Sequence, residues 1–196
     1  MDKNLYLQSS EIIDWETPSV FNKANELAAK SENELDMVKK CFEFVRDEIF
    51  HCIDFKMNTM TLKASDVLKH KTGFCFAKSH LLAALLRANS IPAGLCYQRT
   101  KINGYNQPFG LHGLNCVFLS EYGWYRIDAR GNKEGVDARF NPPVECLAFN
   151  IGADGEADFK EIWYEPLELI KDFLSGYNLV EDAINALPDI EIIYKQ

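Results

Sequence analysis

The sequence predicts an α+β fold in which one long helix, opened by a cysteine, packs on an antiparallel sheet. Three observations predict it. Cys75 to Asn89 is rich in alanine and leucine and apolar on more than half of its circumference, the mark of a helix enclosed by other elements. Leu111 to Leu119 and Trp124 to Ala129 read as strands joined by the turn Ser120-Glu121-Tyr122-Gly123. Nothing along the chain has the composition of a linker or an internal repeat, so residues 1–196 are expected to form a single domain. Its core is expected at about 34–141, with the strands and helices of 142–196 packed on it.

The elements follow in order. Thr17-Pro18 is a helix start with proline at the first position, and Val20, Ala24, Leu27 and Ala28 continue at helical spacing. Ser31-x-x-Glu34 has the form of a capping box ahead of Leu35, Val38, Phe42, Val45 and Ile49, an amphipathic stripe. Phe50 to Lys63 shows no period and is expected to be loop, followed by a helical turn around Ala64 to Lys69 that stops before Gly73. After the central helix, Ala93 to Thr100 is expected as a strand and Lys101 to Gly110, with its Asn, Gly and Pro, as a surface loop. Further strands are expected at 144–150 and 162–164 around an acidic turn at 151–158, then helices at 166–175 and 178–187.

Composition narrows the function classes. With 47% hydrophobic and 26% charged residues, the chain is an ordinary globule. A net charge of −8 disfavours nucleic acid or an anionic membrane as a partner, since either would need a basic face. No apolar run approaches the length of a membrane span, and the first residues lack a secretory layout, so a cytoplasmic location is expected. The six cysteines, at 41, 52, 75, 96, 116 and 146, form no CxxC pair, and neither a metal nor a cofactor is expected.

Gly73-Phe74-Cys75 places one cysteine at the helix start. Unpaired N–H groups and the positive end of the helix dipole favour a thiolate there, and the Cys75 N–H can donate to an oxyanion. A buried structural cysteine is the plain alternative. Strand alternation puts His112, Leu114, Cys116 and Phe118 on one face and Trp124, Arg126 and Asp128 on one face of the next strand, so His112 and Asp128 meet if the register slips or a bulge intervenes. His51 and His80 are expected within or at the end of helices, exposed or satisfied in the core. Cys116 projects from the same face as His112 but ~13 Å away, too far to share a metal ion. Trp124 and Trp163 read as core residues, and Asp154 to Glu161 as a solvated surface.

Cys75, His112 in Gly-Leu-His-Gly-Leu-Asn, and Asp128 in Gly-Trp-Tyr-Arg-Ile-Asp-Ala-Arg occur in that order on helix, strand and strand. This resembles the transglutaminase-like superfamily, as do Ala64-Ser-Asp-Val-Leu68 and Leu82-Ala-Ala-Leu-Leu-Arg-Ala-Asn-Ser-Ile-Pro-Ala93. The resemblance covers roughly Glu34 to Asn141. It implies a papain-like fold with Cys75 as nucleophile, His112 as base and Asp128 as the group that orients the imidazole. One departure is that Gly113 and Leu114 follow His112 where the family commonly has a small residue and tryptophan, which implies a more open wall beside the histidine. For a second oxyanion donor the candidates are Asn58 or a backbone N–H. The implied activity is hydrolysis of an amide in a peptide or protein substrate through an acyl-thioester. Alternatives are acyl transfer to an amine, a catalytically retired binding module, and an arylamine acetyl carrier, for which the sequence offers no acyl-CoA site.

Overall fold

A computed structural model of the protein describes residues 2–102 and 108–191. Half of the loop expected at 101–110, residues 103–107, therefore lies outside the described residues. Helix α1 spans Pro18–Ala29 and α2 Glu34–Glu43, followed by a wide π turn at Phe44–Glu48 where the sequence predicted continuous α-helix. The cap of α2 is also not the one expected. Asn33 accepts the Asp36 N–H at 3.0 Å, Ser31 instead donates back to the Leu27 carbonyl at 2.8 Å, and the Glu34 carboxylate takes the N–H and hydroxyl of Ser120. Asn33, directly before the helix, reaches a free first-turn N–H, which leaves Glu34 to pin the distant hairpin turn.

Within the stretch expected to be loop, Phe50–His51 forms strand β1. It pairs in parallel with β2 (Thr72–Gly73), which follows helix α3 (Ala64–His70). A two-residue strand carries no readable period. Helix α4 (Cys75–Ala88) comes next, with every residue from Cys75 to Arg87 buried between the other helices and the sheet. That sheet is antiparallel, in the order β5 (Gly123–Ile127), β4 (Phe109–Leu119), β3 (Ala93–Lys101), β6 (Ala157–Asp158). The last of these strands lies inside the expected acidic turn. Its Asp158 binds Arg126 and Lys160, so part of that acidic stretch is structural as well as solvated.

The apolar side chains of α1 to α4 and the helix-facing side of the sheet make one cluster that includes Phe42, Ile49, Leu81, Leu85, Leu95 and Val117. On the opposite face Cys96, Leu114 and Cys116 pack with Trp124, Leu147 and Ile162. At a general ~25 cal/mol per Å² of buried apolar area, each fully buried leucine contributes roughly 2 kcal/mol. Arg87 is buried as well, because its guanidinium binds the carbonyls of Ala93, Gln8 and Tyr164 and so ties three separate segments.

The C-terminal region is less regular than expected. Residues 144–150 form no strand beyond a single bridge between Arg139 and Cys146, and 162–164 contributes one bridge, Trp163 with Leu95. Ala148 gives its N–H to the Asp128 carboxylate, Val144 to the Asn141 carbonyl and Trp163 to the Leu95 carbonyl, so these groups are satisfied without a ladder. Helix α5 (Glu168–Ser175) matches its expected position, whereas the last helix shortens to α6 (Val180–Ala183) and a 3-10 turn at Ile184–Ala186. Among the described residues no helix is long and apolar enough to cross a membrane.

Candidate active site

Phe74 is the extended N-cap of α4 and makes no side-chain cap, so the first-turn N–H groups of the helix stay available to an anion. Close approach of α4 to its surroundings depends on two glycines. A Cβ on Gly73 would lie 2.9 Å from Thr61 Oγ1 and 3.0 Å from Ala77 Cβ. One on Gly113 would lie 2.7 Å from Phe76 Cδ1 and 3.1 Å from Phe76 Cα. Bare glycine at 113 thus lets the mouth of α4 settle against β4, and the Gly113 N–H donates to Cys75 Sγ at 3.4 Å.

His112 belongs to the same strand, and its imidazole lies near enough to the Cys75 sulfur for each to shift the proton affinity of the other. Its Nε2 binds Asp128 Oδ2 at 2.7 Å, which leaves Nδ1 for the sulfur. No slip or bulge was needed to bring histidine and aspartate together. The regular register pairs Asn115 with Ile127, so its continuation sets Asp128 opposite Leu114, diagonal to His112 on one face. Asp128 is fixed in turn by the Arg130 N–H at 3.1 Å on Oδ1 and the Ala148 N–H at 3.0 Å on Oδ2.

These contacts set the charges. Burial would depress the His112 pKa, but the Asp128 carboxylate and the Cys75 sulfur outweigh it and raise it to about 10. Burial alone would push the Cys75 thiol up; the His112 imidazolium, the Gly113 N–H and Arg130 overcome this and bring it below its ordinary value. Asp128 is likewise held below the usual carboxylate range, its burial being offset by His112 and the two N–H donors. Both shifts act in the same sense, favouring a thiolate beside an imidazolium over the neutral pair.

A cavity of about 350 Å³ lies over Cys75 and His112. The wall beside the histidine is not open as the Gly113-Leu114 departure implied. The Phe149 ring stands edge-on to the imidazole with centroids 4.8 Å apart, Phe76 fills the space at Gly113, and Leu114 is fully buried. Asn58 is not at the site, because its carbonyl and Oδ1 accept the N–H groups of Val180 and Glu181.

His51 departs from expectation too. It sits in β1, not in a helix, and lines this cavity. Among the described residues its Nδ1 has no hydrogen-bond partner, and it lies 3.6 Å from Asp54 Oδ2. Burial, with the nearby Arg130 charge, holds it well below the usual histidine range and hence neutral. His80 is the core-satisfied imidazole expected, its Nδ1 donating to the Leu62 carbonyl at 2.8 Å. Sequence reasoning missed Asp54, Arg130, Lys133 and Phe149. Of these only Arg130, two residues beyond Asp128, carried any local signal.

Comparison with known proteins agrees with this architecture. A family model described as the transglutaminase-like superfamily matches residues 22–129, more than half of the chain. Among solved structures, a "putative cysteine protease" from Cytophaga hutchinsonii is 24% identical with a TM-score of 0.53, over 66% of this chain and 42% of that one. The periplasmic domain of TgpA from Pseudomonas aeruginosa, bound to ethylmercury, is 23% identical with a TM-score of 0.45, over 63% of this chain and 46% of that one. The chain thus spans less than half the length of either protein. No curated protein sequence matches it. With its antiparallel sheet and enclosed helix, the chain belongs to the transglutaminase-like superfamily.

Proposed function

We propose that the protein is a cysteine hydrolase that cleaves an amide, foremost a peptide bond, through an acyl-thioester on Cys75. The observation that carries this reading is the Cys75 sulfur at an uncapped helix start, beside an imidazole whose far nitrogen is 2.7 Å from Asp128. In the proposed reaction the thiolate attacks the amide carbon and the carbonyl oxygen takes the negative charge, facing the Cys75 N–H. As the C–N bond breaks, His112 gives its proton to the departing amine. Water then attacks the thioester, returns a proton to His112 and releases a carboxylic acid, leaving the Cys75 thiolate beside the imidazolium again. Asp128 holds the imidazole in the tautomer and orientation that both steps need.

Acyl transfer follows the same course with an amine in place of the second water. The cytoplasmic expectation stays part of the proposal, supported by six unpaired cysteines. The test is site-resolved alkylation with iodoacetamide, followed by turnover of a peptide mixture with and without a primary amine. Cys75 is expected to react first at neutral pH, and to slow in His112→Ala. Acid product that persists when amine is added supports hydrolysis, whereas near-complete diversion into an amide product moves the assignment to acyl transfer. If all six thiols react equally slowly, a retired binding module is the better description.

A further inference from the structure

We propose that the cleft over Cys75 takes an anionic acyl donor: a peptide with an apolar residue at the scissile amide and a carboxylate close by. This rests on the cysteine-hydrolase reading above and adds the substrate class. Among the described residues lining the cavity, three carry positive charge, Lys101, Arg130 and Lys133, and one carries negative charge outside the catalytic group, Asp54. The thiolate and imidazolium of the site cancel each other, and with Asp54 and the buried Asp128 carboxylate both counted against the three cations one positive charge remains. Asp54 is shared. Its oxygens accept Arg130 Nη1 at 2.6 Å and Lys133 Nζ at 2.7 Å, so a single carboxylate faces two cations. Across the cavity at the end of β3, the nearby Glu156 carboxylate is engaged by the backbone N–H groups of Lys101, Gly152 and Ala153. An excess of positive charge therefore stands in the cleft of a chain whose net charge is −8. Partly enclosed clefts concentrate such a field and draw in ligands of the opposite sign.

Beside these charges, and apart from His51 and Thr100, the cavity wall is apolar. Phe76, Ile102, Leu111, Phe149 and Leu187 line it. Leu187 is brought there by the C-terminal segment, where the Pro188 carbonyl accepts the Leu111 N–H at 2.7 Å and Asp189 binds Arg99. A side chain of leucine or phenylalanine size matches that wall, and the lysine ammonium groups on their flexible stems can reach a neighbouring carboxylate.

The test uses the full chain and measures alkylation of Cys75, resolved from the other thiols by mass, with iodoacetate and iodoacetamide at neutral pH. Rates are normalised to free cysteine. A unit charge about 8 Å away in a water-like medium changes the local concentration of an anion roughly twofold. Lys101→Gln and Lys133→Gln should therefore each lower the iodoacetate-to-iodoacetamide ratio about twofold and together about fourfold, with added salt shrinking the effect. Two further reagents test the apolar wall: N-iodoacetyl-leucine should outpace N-iodoacetyl-glycine severalfold, and Leu187→Ala should erase much of that lead. A ratio unmoved by the double lysine change, or no lead for the leucine reagent, overturns the proposal while leaving the cysteine-hydrolase reading in place. Sluggish reaction of Cys75 with every reagent would sink both.

Discussion

Replacing Gly113 by alanine adds one methyl group at the contact that seats the cysteine-bearing helix α4 on the sheet. The new Cβ would fall 2.7 Å from Phe76 Cδ1, 3.1 Å from Phe76 Cα and 3.3 Å from Phe76 N. The ring can rotate away; the two backbone atoms cannot, so the first turn of α4 must back off β4 by about 0.5 Å to restore ordinary contact. Overpacking of this kind costs about 1–3 kcal/mol, which for a chain of this size lowers Tm by roughly 3–10 °C. The functional loss should be larger than the stability loss suggests, because the same movement carries Cys75 Sγ away from the Gly113 N–H and from His112. Misplacement of reacting groups by ~1 Å costs about a hundredfold, so a shift of half that size is expected to slow Cys75 alkylation at neutral pH by about tenfold. Thermal unfolding and site-resolved alkylation on one preparation check both figures. Parent-like alkylation together with parent-like Tm would refute the argument that bare glycine sets the distance between helix and strand.

Asp128→Asn should cut turnover at least about a hundredfold, by losing the charge that favours imidazolium and the constraint on its tautomer. It should also cost about 1–3 kcal/mol, since the amide nitrogen must face either the Arg130 or the Ala148 N–H; denaturant unfolding with a product assay separates the two effects. Lys78 is wholly buried with its amine on the carbonyls of Arg46, Ile49 and Arg130, so Lys78→Met leaves those acceptors unpaired and should destabilise by about 2–4 kcal/mol. Burial, then Arg130, lowers the Lys78 pKa to about 7, below its unfolded value of about 10.4. Between those values the unfolded chain binds the extra proton, so this group makes stability rise with pH, and a stability profile of Lys78→Met should lack that component.

The long apolar helix, the hairpin and the order of Cys75, His112 and Asp128 were legible because each depends on local pattern: an enclosed helix shows in alanine and leucine, a strand in alternation. Even the meeting of His112 and Asp128 was legible in outline, although a slip or bulge was thought necessary where the plain diagonal of the register suffices. What stayed hidden depends on partners far apart in the chain. Lys78 reads as a helix-surface lysine until the carbonyls around it are seen, and Arg87 likewise. Asp54 and Lys133 meet across 79 residues, and Phe149 reaches His112 from a segment whose irregular backbone carries no period. The cap of α2 was misplaced by two residues because Ser31 and Asn33 both have side chains able to cap, and only the tertiary contact of Glu34 with Ser120 separates them.

The central claim is that sulfur and imidazole share one proton in favour of the charged pair. Its most direct test is a pH titration of thiolate ultraviolet absorbance, taken as the difference between the parent and Cys75→Ala. A thiolate signal already present at neutral pH, absent below the lowered thiol pKa and greatly reduced at neutral pH in His112→Ala, is the predicted result. A difference signal that emerges only at the pH of an ordinary cysteine, and is indifferent to His112, would contradict it.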